Sequence, residues 1–187
     1  MESAPARPEG SREARQKGTV IHALLEQVSR GASVDALLAP ARSLLRGLAY
    51  SGKALEDAAE QVLTAVRNCA NDPDGAWVLA PHAEAQSEAS WTGWKGGALE
   101  TLRADRVFVA GAAPGAPGED HLWVIDYKTS APAGEEGFLA EQRNAYAPQL
   151  ARYARALREA QGIRLPVRFG LYYPRIARLD WWSAEEV

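Results

Sequence analysis

Cysteine is nearly missing from this chain of 187 residues: it occurs once, at Cys69. A disulfide framework within the chain is therefore excluded, as are a zinc ribbon and an iron–sulfur cluster built on four cysteines. Such usage fits a reducing, cytoplasmic setting. Long apolar runs are absent as well; no stretch approaches the ~20 residues that a membrane span requires. The first residues, MESAPARPEGSREARQKG, contain no apolar h-region, so they do not form a secretory signal. A basic surplus is also missing: net charge is −3, which by itself argues against a protein that coats nucleic acid. There is no internal repeat. There is no G-x4-G-K-[ST] loop and no room for a helicase motor. What remains has the composition of a globular domain, 47% hydrophobic and 24% charged, long enough to bury roughly 70% of its unfolded surface.

The mean charge conceals a split. Between Glu84 and Glu141 there are ten acidic and four basic residues, a balance of −6. Between Arg143 and Arg178 there are eight arginines against Glu159, a balance of +7. Such a split arises by chance, or it marks a cation-binding site beside a phosphate-binding surface.

Hydrophobic spacing divides the chain. Residues 1–17 are polar and rich in Pro, Gly, Arg and Glu, and read as a flexible leader or a linker remnant; 18–187 read as the domain. Val20, Ile21, Leu24, Leu25 and Val28 make a helical stripe closed by Gly31. A second helical region spans Leu37–Leu48, interrupted at Pro40, and a third runs from about Lys53 to Ala70. Asn71–Gly75 reads as a breaker. Trp77–Leu79, Ala85–Trp91 and Leu99–Val109 read as strands, followed by a Gly/Pro loop at 111–120. Leu122–Tyr127 is a compact apolar strand. A helix resumes at Tyr146, with strands at Val167–Tyr173 and Leu179–Trp182. Helices, then a meander, a helix and further strands predict an α/β domain with a central mixed sheet flanked by helices.

The sharpest candidate for chemistry is Val124-Ile125-Asp126-Tyr127-Lys128. Residues two apart in a strand share a face, so Asp126 and Lys128 are neighbours with Tyr127 opposite. An apolar strand is central, and charges at its end lie at the sheet rim, where open α/β folds bind ligands. The same tripeptide also reads as an ordinary surface ion pair. In Arg103-Ala104-Asp105-Arg106, a hairpin across the Gly/Pro loop sets Asp105 beside the 122–128 strand. Two adjacent carboxylates attract a hard cation. Glu84 and Glu88 fall on one face of the preceding strand and could add a third carboxylate, or simply solvate an edge. His22 lies one residue off its helix stripe. Gln149 and Tyr153, at i and i+4, share a helix face near Arg152, Arg155 and Arg158. That face is either solvated or suited to a phosphate backbone.

Taken in order, Gly18-x3-His22, Glu88, Asp105-Arg106, Ile125-Asp126-Tyr127-Lys128-Thr129 and Gln149-x3-Tyr153 resemble the RecB-like branch of the PD-(D/E)XK nuclease superfamily. This branch includes the C-terminal domains of exonuclease V beta subunits and of AddA-type helicase–nucleases. The resemblance spans about Gly18–Trp182 and implies a restriction-endonuclease-like core. It implies a metal-dependent DNA nuclease with Mg²⁺ or Mn²⁺ as cofactor and no iron–sulfur cluster, the cysteines of the cluster-bearing branches being absent. Asp105, Asp126, Glu88 and Lys128 are then the catalytic set. His22, Asp105, Asp126 and the Tyr127 carbonyl are the implied metal ligands, His22 favouring Mn²⁺. Gln149, Tyr153, Arg106, Arg152 and Thr129 are implied as DNA-binding or supporting residues. The implied partners are DNA, as single-stranded ends, and a helicase domain in the same or a partner chain, acting in double-strand break repair and recombination. The alternative is a catalytically silent nuclease-fold module that binds DNA or scaffolds a repair complex.

Overall fold

The computed structural model describes residues 12–95, 98–129, 137–162 and 164–184, with the side chains of 91–102 and 156–161 outside the description. Helix α1 (Arg12–Ser29) starts within the segment read as leader; residues 1–11 lie outside the described residues. Its stripe of Val20, Ile21, Leu24 and Leu25 is buried, as the 3.6-residue period requires. Helices α2 (Leu38–Gly47) and α3 (Gly52–Asn71) follow. Pro40 does not interrupt α2. It stands in the first turn, where its missing N–H has no helical acceptor to lose.

One expectation is overturned after α3. Trp77–Leu79 is not a strand but the end of α4 (Pro73–Leu79). The Asp72-Pro73 pair that reads as a breaker is a helix start: the Gly75 N–H donates to Asp72 Oδ2 at 2.9 Å, and Pro73 occupies the first turn. A side chain on Gly75 would place its Cβ 2.1 Å from the Cys69 carbonyl, so glycine is required where α4 folds back on α3.

Five strands form one sheet in the order β1-β2-β3-β4-β5: Ala83–Lys95, Ala98–Ala110, His121–Tyr127, Val167–Tyr173 and Arg178–Ser183. Only β3 and β4 run parallel. The connection between them carries α5 (Phe138–Gln161), which begins well before the Tyr146 start expected from the sequence. Pro148 lies inside it. Helices α1–α4 cover one face of the sheet with Phe108, Trp123, Ile125 and Tyr172 beneath them. Helix α5 covers the other, over Val124, Phe169, Leu171 and Tyr173. Strand β3 is thus apolar on both sides, which explains its unbroken hydrophobic run. Charged residues at its end can only project at the rim, between the two helical layers.

Candidate metal centre and the lysine beside it

β2 pairs antiparallel with β3, with Arg106 opposite Ile125, so Asp105 reaches the end of β3. Its Oδ2 accepts the Tyr127 N–H at 2.6 Å, which fixes the carboxylate, and its Oδ1 lies 3.2 Å from His22 Nδ1 on α1. Glu88 sits across from it on β1, where Ser87 pairs with Arg106 and Ala89 with Ala104. The backbone of Glu88 has φ +51°, a left-handed conformation that costs a non-glycine residue about 1–3 kcal/mol. His22, Glu88 and Asp105 each offer a ligand atom within 4.8 Å of the others. Ligands about 2.1 Å from an octahedral ion stand roughly 3–4 Å apart, so His22, Glu88 and Asp105 could hold a divalent cation after small movements. One imidazole with two carboxylates suits Mn²⁺ as well as Mg²⁺.

Asp126 and Lys128 form a second unit on the same rim. Lys128 Nζ is 2.6 Å from Asp126 Oδ2, both side chains about 15% exposed (14% and 16%). The Lys128 N–H donates to the Tyr172 carbonyl at 2.8 Å, extending the parallel ladder and holding the residue's backbone. Asp126 stands outside the three-residue donor group, its carboxylate engaged by the lysine. Placing it among the metal ligands requires that carboxylate to be shared.

The electrostatics reflect crowding. Burial and the nearby Asp105 charge push the Asp126 carboxyl up, against the pull of Lys128. Glu88 is raised by burial and by Asp105. Burial opposes charge on His22, yet Asp105, Asp126 and Glu88 outweigh it, and the imidazole is shifted up. Burial likewise opposes the Lys128 ammonium, and Asp126 outweighs it, raising that group. Negative charge is in excess here, as a cation-binding site needs.

The remaining sequence candidates divide. Gly18 lets α1 approach the strand end: a Cβ there would lie 2.7 Å from Thr129 Oγ1. Tyr127 is buried on the α1 side, its ring edge-on to His22 at 5.7 Å. Gln149 donates to the Tyr153 hydroxyl at 2.9 Å, so these two are bonded to each other, Tyr153 being buried. Arg152 and Arg155 are exposed on α5; the Arg158 side chain lies outside the described residues. Glu84 is exposed, also at φ +51°, where the β1–β2 register slips between Ala83 and Gln86, and it is not among the clustered donors.

Arg106 turns inward. It is 3% exposed, and its guanidinium donates to the carbonyls of Val78 at 2.6 Å and Ala80 at 2.7 Å and to Ser87 Oγ at 2.9 Å. It satisfies carbonyls at the end of α4, with three of its N–H donors turned into the protein. The residue that sequence reasoning missed is Tyr146. Lys128 Nζ lies over its ring, 3.3 Å from the centroid. Its only signal in the sequence is that 146, 149 and 153 share a helix face.

Beyond Glu88 a cleft of about 700 Å³ opens between the end of α1 and β1, lined by Ser29, Arg30, His82, Ser87, Glu88 and Ser90 among others. Among the described residues, no helix is long and apolar enough to cross a membrane.

Curated proteins give no significant match. A solved structure described as a candidate exonuclease from Eubacterium rectale has a similar fold, with TM-score 0.52 and 15% identity over 96% of this chain. This chain spans 63% of that protein's length. A family model described as the PD-(D/E)XK nuclease superfamily matches residues 2–180. The acidic cluster with its neighbouring lysine therefore lies within a chain that belongs to the PD-(D/E)XK nuclease superfamily.

Proposed function

We propose that this domain is a divalent-metal-dependent deoxyribonuclease that hydrolyses phosphodiester bonds at His22, Glu88, Asp105, Asp126 and Lys128. The observation that carries the reading is the gathering of three ligand atoms within 4.8 Å at one sheet rim, next to a buried lysine–carboxylate pair. Residues 22, 88 and 105 come from α1, β1 and β2, far apart in the chain. A bound Mg²⁺ or Mn²⁺ supplies Lewis acidity and lowers the pKa of water.

The chain's own residues do the rest. Asp105 holds the cation with the oxygen facing His22, while its other oxygen stays on the Tyr127 N–H. Glu88 completes the anionic wall on the side of the open cleft, through which a DNA strand reaches the rim. The Lys128 ammonium orients the attacking water and offsets charge that builds on the phosphate. The Tyr127 carbonyl is a further ligand, and Thr129, Gln149, Tyr153 and Arg152 support the lysine and the strand. The substrate is single-stranded DNA ends presented by a helicase domain, in the repair and recombination of double-strand breaks.

The test is cleavage of end-labelled single- and double-stranded DNA with Mg²⁺, Mn²⁺ or EDTA, by the natural chain and by Lys128→Ala and Asp105→Asn. Cleavage of single strands that needs the metal and is lost in both variants supports the reading. Equal cleavage by the variants overturns the site. Metal-independent DNA binding without cleavage makes the domain a silent binding module.

A further inference from the structure

Lys128 is held from two sides by groups of different character. On one side is Asp126, with Oδ2 at 2.6 Å; on the other is the face of Tyr146, 3.3 Å from Nζ to the ring centroid. The side chain of Lys128 is 14% exposed, so water does little to fix its position. The two contacts do not respond alike to a cation nearby. The Asp126 carboxylate stands in the field of Asp105 and His22, and a divalent ion bound there competes with the ammonium for its oxygens. A neutral ring has no lone pair to surrender. Its quadrupole attracts the ammonium whether or not the carboxylate is shared.

Tyr146 is placed by α5, one turn before Gln149. Gln149 and Tyr153 are bonded to each other. Tyr146 is half-buried, and its contact with the lysine is made through the ring face. We infer that Tyr146 is a positioning residue for Lys128, its ring face keeping the ammonium aimed at the reacting phosphate while Asp126 turns to the cation. The inference rests on the nuclease reading for its consequence, but the contact itself can be observed without any reaction.

The natural chain, Tyr146→Phe, Tyr146→Leu, Tyr146→Met and Lys128→Ala are compared. The first readout is the ε-methylene NMR signals of the lysines in ¹³C-lysine protein without metal or DNA. The signal missing from Lys128→Ala belongs to Lys128. Ring current places it upfield of Lys17, Lys53 and Lys95 in the natural chain and in Tyr146→Phe, and it returns to their position in Tyr146→Leu and Tyr146→Met. The second readout is single-strand cleavage with Mn²⁺. Tyr146→Phe stays within about threefold of the natural chain. The aliphatic variants lose about 30-fold in kcat with KM within about twofold, the loss expected of a desolvated cation–π contact of ~2 kcal/mol. Tyr146→Met serves if Tyr146→Leu does not fold.

The inference is overturned if the Lys128 signal is not displaced, if Phe is as damaging as Leu, if the aliphatic variants cleave normally, or if the loss is all in KM. Failure of the nuclease reading looks different. The natural chain then does not cleave, or Lys128→Ala cleaves as well as it does, while the NMR comparison still decides the contact.

Discussion

Arg106 and Asp105 are adjacent in sequence, yet one anchors a helix and the other stands in the proposed cation site. The guanidinium of Arg106 is buried against two carbonyls and a hydroxyl. Replacing it with methionine leaves the Val78 and Ala80 carbonyls unsatisfied, and stability in urea should fall by about 2–4 kcal/mol. Cleavage per folded molecule should stay within about threefold at low temperature. A selective loss of DNA affinity with unchanged stability would return Arg106 to the DNA surface. His82, close by, gives a pH signature. Its ring stacks on Phe108 with centroids 4.2 Å apart, and burial, with Arg106 nearby, holds its pKa below the ordinary value. The unfolded chain therefore takes up this proton first, below pH ~6.5, and the folded state loses stability as pH falls from there. His22 is shifted the opposite way and favours the folded state at low pH. Comparing the natural chain with His82→Gln isolates the His82 contribution. Between pH 7.5 and 5.5 the variant should lose less stability in urea, and an equal loss in both proteins would remove the assignment.

At the scale of elements, α1 matters because it brings His22 to the end of β3. Gly18 permits that approach, with only 2.7 Å between a would-be Cβ and Thr129 Oγ1. Gly18→Ala should push α1 outward and slow cleavage about tenfold or more, given the cost of misplacing a catalytic group by about an ångström. In a Thr129→Ala background the clash disappears, since the Thr129 Cβ is already at an ordinary 3.6 Å. Gly18→Ala should then cause no further loss, and a full additional loss in the double variant would show that the close approach is not the reason for glycine. The same region shows what the sequence reveals and what it hides. β3 and the Asp105 hairpin were legible because an apolar run rich in β-branched and aromatic residues, following a Gly/Pro loop and ending in charges, fits a central strand with its end at the rim. Trp77–Leu79 was misread because a short apolar run does not distinguish strand from helix; the deciding fact is the Asp72 side chain capping Gly75. Tyr146 was hidden because a tyrosine on a mixed helix face looks the same whether it packs a core or covers an ammonium. The inward bonds of Arg106 were not legible, because alternation gives a face but not what lies above it.

Over the whole molecule, the proposed cation ties two layers together. His22 comes from the helical layer, whereas Glu88 and Asp105 come from the sheet, and the three donors converge within 4.8 Å. The unfolded chain spreads these groups over 83 residues between His22 and Asp105, so it cannot match the folded site's affinity. An ion that binds the folded state alone stabilises it by an amount that grows with concentration, about 2.7 kcal/mol at a hundred times Kd. Mn²⁺ should therefore raise the unfolding temperature of the natural chain in the absence of DNA, and Mg²⁺ should do so at higher concentration. Asp105→Asn should abolish most of the rise with either ion, since it removes a charge at the centre of the cluster. His22→Ala should behave differently. It deletes the imidazole that favours the softer ion, so the advantage of Mn²⁺ over Mg²⁺ should shrink while a carboxylate-based response survives. The measurement is thermal unfolding across a millimolar titration of each ion, with calorimetric stoichiometry near one for Mn²⁺. An unfolding temperature that ignores both ions in the natural chain, or an equal response in Asp105→Asn, would remove the cation from this rim and leave the convergence of α1, β1 and β2 without its proposed cause.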